Sequence, residues 1–186
     1  MLQPRDRDDT RSRLLDAAEA IVADRGVGAL TLDAVAAAAG VSKGGLLHHY
    51  RSKEALLAAI VGRMAEEMHA VFDMTLAAQA PGPGRAARAC IAWALHSPPD
   101  REERDLRIAA ALLAAHTHHP GLVDPIRAEH ARIRAMLAED GLPPGRSLAV
   151  ICAADGLFMA KVFSIWRPSE QEKAEIEAAL ARLALP

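Results

Sequence analysis

Alanine-rich stretches, interrupted at short intervals by glycine and proline, make up most of this chain. Alanine fills 41 of the 186 positions, whereas threonine fills four and the aromatic residues make up 3%. Alanine is the best helix former, while strands favour β-branched and aromatic residues. The sequence therefore predicts an all-α protein. It argues against β-rich architectures, including modules that stack bases on a sheet of aromatic side chains.

The balance of charge restricts how such a protein could meet nucleic acid. Lys and Arg together number 22 and Asp and Glu 24, which gives a net charge of −2. A domain that binds nucleic acid over its whole surface is usually strongly basic. Any contact with DNA must therefore come from a local patch.

The two cysteines and the apolar segments indicate a cytoplasmic protein without membrane contact. Cys90 and Cys152 stand alone, with no metal-ligand or redox spacing, so we expect buried, reduced thiols. The first residues carry charges and no apolar stretch, unlike a secretory signal. The longest apolar run, residues 148–166, contains Asp155 and Lys161 and indicates a buried helix rather than a membrane span.

Helical periodicity and its punctuation predict about nine helices after a flexible arm at residues 1–9. Two short helices joined by a glycine-containing turn, after a longer helix, are the spacing of a helix-turn-helix. An ordinary helical hairpin with solvated charges is the alternative. The predicted helices run from Thr10 to Gly26, Leu32 to Ala39, Ser42 to Tyr50, Ser52 to Ala78, Arg85 to His96, Arg101 to Ala115, Leu122 to Glu139, Arg146 to Trp166 and Ser169 to Leu183.

The second short helix carries the chemistry that suits DNA. In a helix-turn-helix, the N-terminal residues of this helix meet base edges in the major groove. Lys43 can donate to guanine O6 and N7, and Lys53, at the next helix start, can hold a phosphate. The residues placed near the bases are Ser42, Lys43, Gly44 and Gly45, with His48 one turn further along.

The stretch AGVSKGGLLHHYRSKEALL, residues 39–57, resembles the signature of TetR-family transcriptional regulators, close to AGVSKGTLYYHFxSKEEL. The resemblance extends back through Thr31 and Leu32 to residues 14–18 and covers about the first 57 residues. Further on, only helical layout and length agree with the family, including a late Ala-Asp-Gly-Leu at residues 154–157. The resemblance implies a DNA-binding domain at 1–57 and an effector-binding, dimerising domain at 58–186.

The resemblance also assigns roles by position. It implies that Lys43, Gly44, Gly45 and His48 form the base-side surface. Two departures matter: Leu47 replaces a phosphate-binding aromatic residue, and Gly45 replaces a common Thr. Each glycine weakens the helix by about 1 kcal/mol relative to Ala, so we expect a reading helix that becomes firmer on DNA. The implied backbone contacts are Thr31, His49 and Lys53, with Tyr50 in the core.

The helix at residues 146–166 is apolar nearly all round, so it must be covered on two sides. We expect one side to face the core and the other a partner subunit; the alternative is a monomeric core. Asp155 on this helix needs an Arg or His partner, within the chain or across a dimer, unless it serves a ligand. The predicted dimer interface consists of Ile151, Asp155, Phe158, Val162, Ile176, Leu180 and Leu183.

The larger side chains of the middle and late helices are candidates for an effector pocket, although helical Met and Phe stripes are often plain core. The scarcity of aromatic residues favours an aliphatic ligand over a flat polyaromatic one. His116, His118 and His119 lie together, but at a helix end, where histidine suits the dipole; we predict no metal. The effector candidates are Met64, Met68, Phe72, Trp93, Leu113, Met136, Phe158 and Met159.

The sequence contains no GxSxG, HExxH, P-loop or nucleotide fingerprint, so no enzyme and no cofactor are predicted. The sequence hypothesis is a homodimeric TetR-type repressor that a small molecule releases from a palindromic operator. Two other readings stay open. One is a helical protein-interaction module that uses the hairpin for a protein partner, and the other is a small-ligand-binding protein or enzyme that does not act through DNA.

Overall fold

The structure, a computed structural model, describes residues 4–96, 99–116 and 119–186, apart from the side chains of 4–8, 99–101 and 114. Nine α-helices and two short 3-10 helices, Val27–Ala29 and Pro120–Val123, account for its regular structure, and this part of the chain has no strand. The all-α prediction is therefore confirmed. The helices are α1 Pro4–Arg25, α2 Leu32–Ala39, α3 Lys43–His49, α4 Lys53–Ala77, α5 Arg85–Leu95, α6 Pro99–His116, α7 Asp124–Ala138, α8 Pro144–Val162 and α9 Glu170–Leu183.

Helix α1 begins earlier than the sequence indicated. It starts at Pro4, so residues 4–9, expected as part of a flexible arm, are helical. Proline suits the first position of a helix because its fixed φ is helical and its missing N–H would be unpaired there. This local effect outweighs the polar character that suggested an arm.

Helix α8 ends at Val162, four residues before the predicted end at Trp166. Ser164 has a φ of 53°, and no other non-glycine residue in the described part of the chain has a positive φ. The N–H of Ile165 donates to Ala160 O at 2.9 Å and that of Ser164 to Lys161 O at 3.0 Å. This pair of bonds closes the helix as a left-handed cap, so its last apolar residues leave the helix.

The chain divides into two compact units, which are described separately. The first comprises Met1–Met64 and Glu103–Pro125, and the second Ala65–Glu102 and Ile126–Pro186. The division therefore crosses α4, α6 and the start of α7, rather than following residue 57. The assignment of residues 1–57 and 58–186 to two functional domains stays a prediction.

A buried carboxylate joins three helices of the first unit. Glu19 of α1 is only 5% exposed. Its Oε1 accepts from Arg63 Nε of α4 at 2.6 Å, and its Oε2 accepts from Arg104 of α6. Arg63 also donates to Asp16 at 2.6 Å. A buried charge is tolerated only when it is paired, and here two guanidinium groups supply the pairing.

Helix α5 lies in the core of the second unit, and its N-terminus is capped by a residue that follows α7. Asp140, just after α7, accepts hydrogen bonds from the N–H groups of Ala86 and Ala87, both at 2.8 Å. Gly84 precedes α5 with a φ of 79°, and a Cβ there would lie 2.1 Å from Ala184 O. The chain's C-terminal segment therefore packs directly on this glycine. The core of this unit consists mainly of Phe72, Cys90, Ile91, Ile133, Leu137, Val150, Ile151, Leu157 and Leu180.

The Glu19 cluster predicts a large effect from a nearly isosteric change. Glu19→Gln keeps the side-chain volume but leaves the partly buried Arg63 with Asp16 alone. Breaking a buried pair typically costs about 3–5 kcal/mol. Arg104 is half exposed and can return to water, so we expect a loss of about 2 kcal/mol in the free energy of unfolding, measured by urea denaturation.

Asp16→Asn is the matched control, because it removes a carboxylate from the same arginine at an exposed position. We expect it to cost less than about 1 kcal/mol. Equal losses for the two variants would show that burial of Glu19 does not set the strength of this cluster.

Candidate nucleic-acid interface

The turn between α2 and α3 is fixed by backbone and capping contacts. Gly40 ends α2 in the left-handed region, with a φ of 65°, and the N–H of Val41 donates to Ala36 O at 2.9 Å. Arg13 of α1 donates to Ala39 O at 2.7 Å. Ser42 then caps α3, its hydroxyl accepting from Gly45 N at 3.1 Å. The structure thus contains the two short helices and glycine-containing turn that the sequence predicted.

The two glycines of α3 have different surroundings. A Cβ on Gly44 would meet no atom within 4 Å, whereas one on Gly45 would lie 2.9 Å from Val41 Cγ1. A threonine at position 45 would therefore require the Val41 side chain to move. Gly45 packs against the turn, and Gly44 is the more open of the two positions at the start of the helix.

The inner face of α3 is buried, as predicted. Leu46 is 0% and Tyr50 3% exposed. Burial raises the pKa of Tyr50, and the nearby charge of Arg11, 5.9 Å from the ring centroid, opposes this effect. On the outer side, His48 and Leu47 are exposed, Leu47 by 39%. The helix thus presents one side to the core and one to solvent.

Two of the three residues predicted to hold the DNA backbone lie at helix starts. Thr31 caps α2 by accepting from Ala34 N at 3.1 Å, which leaves its hydroxyl hydrogen free to donate to a phosphate. Lys53 is the first residue of α4, and His49 is half-buried at the end of α3. The pKa of the Glu54 carboxyl lies below its usual value, because the carboxylate accepts hydrogen bonds from the N–H of Glu54 and from Ser52. The Glu54 carboxylate therefore competes with a phosphate for the N–H groups at the start of α4. The Lys53 side chain is the better phosphate ligand for this reason.

Lys43, the predicted base contact, is paired within the chain. Its Nζ lies 2.9 Å from Asp33 Oδ1 and 3.1 Å from Oδ2, joining the starts of α3 and α2. The sequence analysis missed this pair because a separation of ten residues across a turn gives no periodic signal. Both side chains are more than half exposed, and such pairs contribute at most about 1 kcal/mol. Lys43 can therefore exchange Asp33 for another acceptor at little cost.

Comparison with known families supports the resemblance found in the motif. Residues 14–60 match the family model described as bacterial regulatory proteins of the tetR family. Residues 84–185, more than half of the chain, match the model of the tetracyclin repressor-like C-terminal domain. The chain belongs to the TetR family of transcriptional regulators.

Individual relatives agree with this assignment. This TetR-family regulator is 25% identical to the HTH-type transcriptional regulator SrpR of Pseudomonas putida, over 93% of this chain and 83% of SrpR. The fold resembles SCO7518 of Streptomyces coelicolor A3(2), with a TM-score of 0.75, 24% identity and coverage of 96% and 99% of the two chains. It also resembles the multidrug binding protein EbrR complexed with malachite green, with a TM-score of 0.70, 23% identity and coverage of 95% and 98%.

In the second unit, α8 divides its apolar residues between core and surface. Ile151, Val162 and Leu180 are at most 8% exposed, and Ile176 and Leu183 pack partly buried against the core. The prediction that Ile151, Val162 and Leu180 face a partner therefore needs correction, because the chain's own helices cover these three side chains. The exposed apolar residues of α8 and its C-terminal cap, called here the α8 face, are Leu148, Cys152, Phe158, Met159 and Phe163.

Asp155 and the cysteines also have defined surroundings. Asp155 Oδ2 lies 3.0 Å from His130 Nε2 of α7, which confirms pairing with a histidine and places it within the chain. Burial, aided by the charge of Asp155, raises the pKa of the Cys90 thiol to about 12. Cys152, however, is exposed, so the expectation of a buried thiol is wrong there: the α8 face turns it to the surface.

The effector candidates do not form one group. Met68, Trp93 and Met136 are partly buried against the core of the second unit, with fully buried Phe72 beside Trp93, their ring centroids 6.0 Å apart. Met64 and Leu113 belong to the first unit. Phe158 and Met159 are on the exposed α8 face, 45% and 37% exposed. Only Met68, Phe72, Trp93 and Met136 lie together at the core of the second unit.

The histidines at residues 116–119 were the candidates for a metal site. His118 lies outside the described residues, and His119 precedes the 3-10 helix at Pro120. Among the described residues, no three His, Cys, Asp or Glu side chains converge as metal ligands would. In the same residues, no helix has both the length and the apolar character needed to cross a membrane.

The exposed Leu47 predicts a gain of function on α3. Leu47→Tyr supplies a phenol at the position where the resemblance implies a phosphate-binding aromatic residue, and a hydrogen bond contributes about 0.5–1.5 kcal/mol. We expect affinity for any DNA duplex to rise about two- to tenfold, measured by fluorescence anisotropy. Leu47→Phe is the control, because it adds the ring without the hydroxyl. An equal gain with Phe would show that apolar contact, rather than a hydrogen bond to phosphate, causes the effect.

Proposed function

We propose that this TetR-family regulator is a repressor that binds a palindromic operator as a homodimer and leaves it when a small molecule binds the second unit. The observation that carries the proposal is the capped α3, with Lys43 at its start and Lys53 at the start of the next helix. A helix-turn-helix of this form places the N-terminus of its second helix in the major groove. Lys43 then serves base edges and Lys53 the phosphates.

The remaining DNA contacts follow from the same surface. Thr31 keeps a hydroxyl hydrogen for a phosphate while it caps α2, and His49 lies at the opposite end of α3 from Lys43. Gly44 lets the backbone approach a base edge, because no side chain stands in the way. His48, one turn along on the exposed side, can donate to or accept from a base.

The α8 face is the surface that we propose for the second copy of the chain. Leu148, Cys152, Met159 and Phe163 follow one another at helical spacing, and Leu148 and Phe163 are 50% and 57% exposed. Contiguous exposed apolar residues of this kind mark interaction surfaces. In a dimer that binds a palindrome, the two reading helices would meet half-sites about 34–36 Å apart or a multiple of that spacing.

The effector would bind in the second unit. Met68, Phe72, Trp93 and Met136 supply the apolar surface that ligand sites need. EbrR, which shares this fold, is a multidrug binding protein with structures holding malachite green and ethidium. Release follows when the ligand binds more tightly to a state whose reading helices do not fit the operator, because only differential affinity shifts the equilibrium.

Two lysine variants test the DNA surface. Lys53→Ala should weaken binding to every duplex and lower the magnitude of the log–log salt slope by about 0.9, because one phosphate contact is lost. Lys43→Ala should cost about 1–3 kcal/mol on a duplex obtained by binding-site selection and relax the preference at particular bases. Anisotropy titrations at several salt concentrations measure both effects.

Lys173→Ala is the control for these variants, because it removes a lysine from α9 that pairs with Glu170. It should leave affinity and slope unchanged. If all three variants bind DNA like the parent, the assigned surface is wrong. Absence of salt-dependent binding by the parent would instead favour a protein-interaction module.

The α8 face predicts a dimer that one charge can weaken. Leu148→Glu places a carboxylate on this face, and we expect the dimer dissociation constant to rise more than tenfold, because an unpaired charge would be buried. Sedimentation equilibrium measures it. Met74→Glu is the control, since Met74 is a 73% exposed residue of α4 outside this face. Equal effects of the two variants, or none from Leu148→Glu, would place the dimer interface elsewhere.

A further inference from the structure

A charge pair lies within the reading surface, the stretch from Thr31 to Lys53 that is proposed to contact DNA. The ammonium of Lys43 contacts both oxygens of Asp33, at 2.9 and 3.1 Å. Asp33 is the only acid between Thr31 and Lys53, a stretch with three cations. The carboxylate is 72% exposed. A negative charge therefore stands among the groups that are proposed to meet a polyanion.

This pair is not needed to hold the helix-turn-helix together. The turn is fixed by the left-handed Gly40, the bond from Val41 N to Ala36 O, and the Ser42 cap. Thr31 caps α2 independently of Asp33. Replacing the carboxylate by an amide of the same shape should therefore leave both helices in place, and its effects on DNA binding can be read separately from folding.

The pair should affect two kinds of DNA complex differently. Lysine has three N–H donors, so Lys43 can donate to the neutral O6 and N7 of guanine while it keeps one bond to Asp33. On a sequence without that guanine, the remaining acceptors are phosphates. A phosphate must compete with Asp33 for the ammonium and is also repelled by the carboxylate. Asp33 therefore disfavours the non-specific complex more than the specific one.

We propose that Asp33 is a specificity-determining residue, which holds Lys43 at the start of α3 and lowers affinity for DNA that lacks the matching base. The inference rests on the proposed function, because it concerns the same surface. Most binding energy on non-specific DNA comes from phosphate neutralisation. A residue that withholds one lysine from phosphates therefore increases the ratio of operator affinity to non-specific affinity.

Asp33→Asn tests the proposal with two duplexes, one obtained by binding-site selection with the parent protein and one of random sequence. We expect affinity for the random duplex to rise about three- to tenfold and affinity for the selected duplex to change less than about twofold. The salt slope on the random duplex should steepen by about 0.9, because Lys43 becomes free to neutralise a phosphate. Replacing Lys43 as well, in Asp33→Asn/Lys43→Ala, should remove most of the gain.

Asp24→Asn is the matched control, because it makes the same change of charge on α1, where the nearby cation is Arg107 at 3.8 Å. It should move both affinities by a similar, small factor. If Asp33→Asn changes both duplexes by one common factor, Asp33 acts through net charge alone and the proposal is wrong. If the parent binds no duplex, the proposed function fails and this inference fails with it. Thermal denaturation checks that the variants remain folded.

Discussion

The buried carboxylate of Glu19 is the contact on which the arrangement of the first unit depends. It holds Arg63 of α4 and Arg104 of α6 against α1. Lys53 and Arg63 lie on one rigid helix, so fixing Arg63 also fixes where the start of α4 stands relative to α1. Because α1 contacts the end of α2 through Arg13, the helices that carry the proposed phosphate and base contacts are both held against α1.

Contacts with the core explain how a helix of low intrinsic stability could serve as the proposed reading helix. Helix α3 has seven residues and two glycines, so its own propensity cannot stabilise it. Its position is set at both ends instead, by the Ser42 cap at the start and by buried Leu46 and Tyr50 further along. The glycines can then leave the surface open without loosening the helix from the core.

Local signals in the sequence were sufficient for much of this. Thr31, Ser42 and Ser169 each cap a helix by accepting from the N–H three residues further on, so these helix starts depend on neighbouring residues alone. Helix α2 has its predicted bounds. The missed contacts are long-range: Glu19 meets partners 44 and 85 residues away, which no period reveals. The face of α8 was ambiguous for a different reason. A helix that is apolar all round does not indicate which side its neighbours cover, and the fold covers the side of Ile151 rather than that of Leu148.

The charge of the reading surface makes dimer formation necessary to the proposed function. Three cations and one acid lie between residues 31 and 53, in a chain with a net charge of −2, so one reading unit can neutralise few phosphates. Its affinity for DNA must be low, because phosphate contacts supply most of the binding energy of such a surface. In a dimer, once one reading surface is bound, the second binds as part of the same complex. Its high effective concentration near the DNA makes the overall affinity much greater than that of one surface. A small change in the distance between the two reading surfaces of the dimer removes that gain without altering either surface. The low affinity of each reading surface is therefore what would allow a ligand in the second unit of the chain to control binding to DNA.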